Sequence, residues 1–102
     1  MARKKYNKLV RDLIPEIIEK SGKKCKWHRA QQRSIGGYLS KKLVEEAKEF
    51  EENPCAEELA DVYEVLCAIE GVMGLNRYTS LGAKAVDKGR FDDHIILDWV
   101  ED

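Results

Sequence analysis

Residues 35–73 carry a helical periodicity that is interrupted once, at Asn53-Pro54, so the middle of the chain is expected to be two helices joined by a tight turn. At about 100° per residue, Ile35, Leu39, Leu43, Ala47 and Phe50 form one apolar stripe on the first of them. On the second, Leu59, Val62, Tyr63, Val65, Leu66, Ala68, Ile69, Val72 and Met73 cover more than half the circumference. A turn this short sets the two helices antiparallel. Ser34 is expected to cap the first, which runs to Glu52. Asn53 followed by a first-turn proline opens the second, which stops at Gly74.

Two shorter helices flank this hairpin. Pro15 suits a first helical turn, and Ile14, Ile17 and Ile18 share a face, which predicts a helix over 13–20 before Ser21-Gly22. Asn76 is placed to cap a fourth helix ending near Lys88-Gly89. Residues 24–30 alternate polar and apolar, as a short strand does, and residues 94–100 read as an extended partner for it. The expected fold is a mainly α single domain, a helical bundle with at most one small two-stranded piece.

Acids interrupt the apolar faces. Glu46 projects between Ile35 and Leu39 and Glu49 borders that stripe, whereas Glu58 and Asp61 fall inside the broad arc of the next helix. Glu70 falls inside the arc as well. A carboxylate on a buried face is costly unless something compensates it. Counted from Asn53, Glu49 lies four residues before and Glu58 five after, while Glu46 lies seven before and Asp61 eight after. With a rise of about 1.5 Å per residue, Glu49 is level with Glu58 and Glu46 with Asp61. Two carboxylates 4 Å apart repel by about 4 kcal/mol at an effective dielectric near 20. A divalent cation removes that penalty, and four hard oxygen donors favour magnesium or manganese over zinc. Glu51, Glu52, Glu57 and Glu64 read instead as solvated surface acids.

Charge is unevenly spread. Residues 1–34 hold eleven Lys or Arg against three acids, and the remaining 68 hold seven against sixteen. Such a chain is mostly acidic, which argues against a nucleic-acid polymer as partner. It contains no apolar run long enough for a membrane span, nor an h-region after its basic first residues. Cys25, Cys55 and Cys67 suggest no disulfide framework, which fits a reducing, cytoplasmic setting. Cys25 and His28 lack a second tight pair that would make a zinc site, and His28 and His94 have no triad partners.

Lys42 to Phe50 (KLVEEAKEF) followed by Glu57 to Val62 (EELADV) resembles the paired E-x-x-E and E-x-x-D motifs of the MazG-like all-α nucleoside triphosphate pyrophosphohydrolases, a group that includes the phosphoribosyl-ATP pyrophosphohydrolases. The flanks Tyr6 to Pro15 (YNKLVRDLIP) and Lys88 to Phe91 (KGRF) resemble a compact branch of that group, so the likeness covers nearly the whole chain. The short interval between Glu49 and Glu58 departs from many relatives, and substrate choice is what it leaves least transferable. The resemblance implies cleavage between the α and β phosphates to give a nucleoside monophosphate and pyrophosphate. Glu46, Glu49, Glu58 and Asp61 would hold Mg2+, with Mn2+ as a substitute. Glu45 or one of the ligands would accept a proton from water. Lys84, Lys88 and Arg90, then Lys8 and Arg11, are the candidates for binding phosphates, and Tyr38 and Trp27 for stacking on a base. The wide apolar arc and the resemblance both point to a homodimer or dimer of dimers. The expected role is clean-up of non-standard nucleotides, since the short chain shows no dedicated sugar-phosphate site. Two other readings stand beside it: a phosphoribosyl-ATP pyrophosphohydrolase, and a non-catalytic helical module that binds a protein.

Overall fold

The computed structural model describes residues 2–102. Among them the chain is mainly helical: α1 (Ile14–Lys20), α2 (Gln32–Glu52), α3 (Ala56–Met73) and α4 (Arg77–Lys88). None of these helices is long and apolar enough to cross a membrane. The antiparallel α2–α3 hairpin is the one extensive helix pair among the described residues. Leu39 (2% exposed) and Val65 (7%) are its buried apolar side chains.

Both ends of α2 differ from the sequence-based expectation, for local reasons. The Asn53 amide still donates to the Glu49 carbonyl at 3.0 Å, so Asn53 ends α2 instead of opening α3. Cys55, with extended backbone, is the N-cap of α3, and residues 53–55 form the turn. At the other end α2 begins at Gln32, and Ser34 lies within its first turn, its amide already bonded to the Gln31 carbonyl at 2.9 Å. The Gln31 side chain gives no cap, because it accepts from Arg33 Nε at 2.9 Å.

The corner between α3 and α4 explains Glu70. Gly74 closes α3 at φ 67°, a left-handed conformation that a side chain would strain. Glu70 Oε2 then accepts from the Arg77 backbone N–H at 3.1 Å, and Oε1 pairs with Arg77 Nη1 at 3.1 Å. A carboxylate at the first turn of α4 answers its free amides and its dipole. Asn76 caps the same turn by accepting from Tyr78 N–H at 2.9 Å, as expected. The Arg77 guanidinium lies 5.4 Å and 5.3 Å from the Tyr63 and Tyr78 ring centres.

Residues 24–30 and 94–100 form no strand. A strand needs a partner for its backbone groups, and no backbone hydrogen bond joins the two segments. The tail leaves Phe91 (96%), Ile95, Ile96, Leu97, Trp99 and Val100 exposed. The whole chain is open in the same way. Its radius of gyration is 18.4 Å, against about 13 Å for a compact domain of this length. It exposes 9835 Å², where a folded monomer of this mass exposes about 5,900 Å².

Candidate metal centre

The seam between α2 and α3 places the acids. Buried or half-buried positions recur at Leu39, Leu43, Glu46 and Phe50 on α2, and at Glu58, Val62, Val65 and Ile69 on α3. Steps of three and four residues are those by which two helices interlock. Every seam residue is apolar except Glu46 and Glu58. Glu49 stands one turn from Glu46 but off the seam, and it is exposed.

Glu46, Glu58 and Asp61 each bring a carboxylate oxygen into a set whose members all lie within 4.8 Å of one another. Glu46 is 7% exposed. Its Oε1 lies 3.3 Å from Lys42 Nζ, but its buried Oε2 has no hydrogen-bond partner. Glu58 Oε2 is likewise buried and unpartnered. An orphaned buried acceptor costs about 1–3 kcal/mol, and more when it is charged. Three converging carboxylates, two of which carry a buried oxygen without a donor, could hold a hard divalent cation, since every donor in the set is oxygen.

Glu49 is not within that set. Its carboxyl is pushed above the usual carboxylate range, first by hydrogen bonding and charge from Glu46, then by desolvation and by Glu58 and Glu45. Glu45 behaves oppositely. It accepts from Lys8 Nζ at 2.8 Å and lies 3.5 Å from Lys42 Nζ. The Lys8 hydrogen bond, followed by the Lys42 charge, holds its carboxyl below the usual range. Two glutamates one helical turn apart, Glu45 and Glu49, thus differ in proton affinity because one meets lysines and the other meets a carboxylate.

Of the candidate phosphate-binding residues, Arg11 reaches the acid set and Lys8 reaches Glu45 just outside it. Lys8 meets Glu45, and Arg11 Nη2 donates to Asp61 Oδ1 at 2.8 Å. Lys84, Lys88 and Arg90 are exposed on and after α4, and none forms an ion pair with Glu46, Glu49, Glu58 or Asp61. Tyr38 is half-buried and lines a groove with Asn7, Ser34, Gly37 and Lys41, about two turns along α2 from Glu46. Trp27 lies away from this groove and half-exposed, with Arg29 stacked 5.2 Å from its ring centre. The sequence reading missed Lys42 as the counter-ion of Glu46. Its signal was the i, i+4 spacing of the pair.

No family model, curated protein or solved structure matches this chain.

Proposed function

We propose that this chain is a magnesium-dependent nucleoside triphosphate pyrophosphohydrolase, cleaving between the α and β phosphates to release a nucleoside monophosphate and pyrophosphate. The observation that carries the reading is the convergence of Glu46, Glu58 and Asp61 with two buried oxygens that lack donors. The motif resemblance supplies the reaction class, and a set of this kind is what that class requires.

Glu46, Glu58 and Asp61 would hold the ion. A divalent cation bound there supplies charge for the phosphate oxygens and lowers the pKa of an attacking water. Glu49 would be the proton acceptor for that water: it lies beside the set and is open to solvent, and the neighbouring Glu46 raises its proton affinity. Glu45 is the weaker acceptor because Lys8 and Lys42 hold it ionised. Lys8, Arg11 and Lys42 offset phosphate charge on the side where the basic N-terminal segment meets the hairpin. Tyr38, in its groove beyond Lys41 and Lys42, offers a face for the nucleobase.

A second copy of the chain covers the open apolar surface in this reading. The exposed area exceeds that of a compact monomer by roughly 3,900 Å², whereas a standard interface takes only about 800 Å² from each partner. An interwound dimer or a dimer of dimers accounts for an excess of that size. A homo-oligomer would also be a source of further cations for the centre, since Lys84 and Lys88 on α4 and Arg90 after it pair with none of its acids within the chain.

The test is a panel of nucleoside triphosphates incubated with the protein, with and without magnesium, reading pyrophosphate release beside an Asp61→Asn variant. Magnesium-dependent release of monophosphate and pyrophosphate, lost in the variant, is the expected result. Release from phosphoribosyl-ATP alone would keep the chemistry and change the substrate. No release from any of them would leave the helical binding module as the better reading.

A further inference from the structure

The first dozen residues are attached to the hairpin in an unusual way. Among the described residues, no backbone hydrogen bond ties residues 2–10 to any helix. Two side-chain pairs fasten the segment instead, and they go to different helices. Lys8 Nζ donates to Glu45 Oε1 on α2 at 2.8 Å, and Arg11 Nη2 donates to Asp61 Oδ1 on α3 at 2.8 Å. Asn7, in a left-handed conformation at φ 44°, bends the segment immediately before Lys8. The segment therefore straddles the hairpin at the level of the acid set.

The two fastenings differ in what they occupy. Glu45 lies outside the set, so Lys8 can stay when an ion arrives. Asp61 belongs to it, and the oxygen Arg11 takes is on a carboxylate that the ion also needs. Arg11 reaches Glu64 as well, at 3.8 Å, which gives the guanidinium a second carboxylate just outside the set. The buried oxygens of Glu46 and Glu58 remain without donors even with Arg11 in place, so the arginine neutralises the rim of the site and not its floor.

We propose that Arg11 is an exchangeable resident cation of the acid site, held over Asp61 by a strap of residues 7–11 and displaced from it by the incoming divalent ion. This rests on the reading of Glu46, Glu58 and Asp61 as the metal centre, and it assigns that centre a competitor within the chain. Displacement leaves the guanidinium tethered beside the ion with its planar fork free, which is where a phosphate oxygen of a triphosphate would need a donor. The arginine thus trades a carboxylate for a phosphate as the site is loaded.

The experiment is calorimetric titration of the full chain with Mn2+ alone, without nucleotide, for the wild type, Arg11→Gln and Lys5→Gln. Lys5 lies in the same segment but in neither fastening pair, so its variant carries the same charge change without breaking the contact. Since an exposed pair of this kind is worth little, Arg11→Gln is expected to bind the ion about two- to fivefold more tightly than the wild type. Lys5→Gln should match the wild type. Arg11 acting only as a structural brace would make its loss weaken binding, so unchanged or weaker binding by Arg11→Gln overturns the exchange while leaving the metal centre intact. Equal tightening by Lys5→Gln overturns it too, because general charge would then suffice. Absence of binding in both the wild type and Arg11→Gln removes the metal centre itself, and the exchange with it.

Discussion

Glu46 and Glu58 meet across the α2–α3 seam, each with one buried carboxylate oxygen that no donor reaches. Both stand where a helix pair ordinarily places leucine or valine, so their repulsion acts in the interior of the one extensive helix contact. Relief of that repulsion gives the first prediction. Glu58→Gln should stabilise the metal-free protein by about 1 kcal/mol, which for a domain of this size is roughly 4–8 °C in melting temperature. Magnesium should raise the melting temperature of the wild type, because it binds the folded set and not the unfolded chain, and that shift should shrink or vanish in the variant. Melting curves with and without the ion measure both effects. A destabilised Glu58→Gln would mean that Glu58 already has a partner.

A pH dependence follows from Glu49. Its carboxyl holds a proton more tightly in the folded chain than in the unfolded one, first because of Glu46. Where the folded state binds more protons, stability falls as pH rises. The contribution is therefore favourable below the ordinary carboxylate value and is lost as pH climbs from there through the raised folded value, with no further change above it. Glu45 has the opposite sign, since Lys8 lowers its pKa: its contribution is present above the ordinary value and fades as pH falls. In metal-free protein, Glu49→Gln should gain stability relative to the wild type as pH rises across the Glu49 transition. Denaturant titrations at intervals from pH 4 to 7 would show it, and a difference that stays constant with pH would rule it out.

The residues that made the hairpin legible are those whose spacing has one physical meaning. A stripe at helical period on each side of Asn53-Pro54 gave two antiparallel helices, and counting from the turn put the four acids at matching levels. Level alone does not distinguish Glu46 from Glu49, but the stripe already hinted at it, with Glu46 inside and Glu49 on its border. The packed pair turns that hint into burial: a step of seven from Leu39 puts Glu46 in the seam, whereas Glu49 rotates off it and is exposed. The strand at 24–30 failed for a related reason, because alternation describes a face and supplies no partner. Arg11 beside Asp61, fifty residues apart in sequence, left no local trace at all.

Glu49 separates two roles. As proton acceptor outside the ligand set, its replacement by glutamine should lower turnover by about 10²–10⁴ fold, while the magnesium-induced rise in melting temperature persists. As a fourth ligand, it would take both away. Pyrophosphate release and melting temperature, measured on the same Glu49→Gln sample, decide between them, and retention of the thermal shift is the expected outcome.

The exposed surface sets a requirement on the state of the protein in solution. Leu39 and Val65 are the buried apolar side chains of the described chain, while Leu81 and Val86 on α4 and Ile95, Ile96, Leu97 and Trp99 in the tail face outward. The excess exposed area is several times what one partner gives up in a standard interface, and the apolar part of it favours burial against another copy. Copies of the chain are therefore expected to stay together at micromolar concentration. Sedimentation velocity is expected to give a mass of at least twice 11.7 kDa, unchanged on tenfold dilution. Replacing Leu97 and Trp99 together by aspartate should loosen the assembly and make its mass depend on concentration, because those side chains then carry charge into the covered surface. A sharp mass of one chain for the unaltered protein would mean that the tail and α4 fold back on their own hairpin, and a homo-oligomer would no longer be needed to explain the open surface.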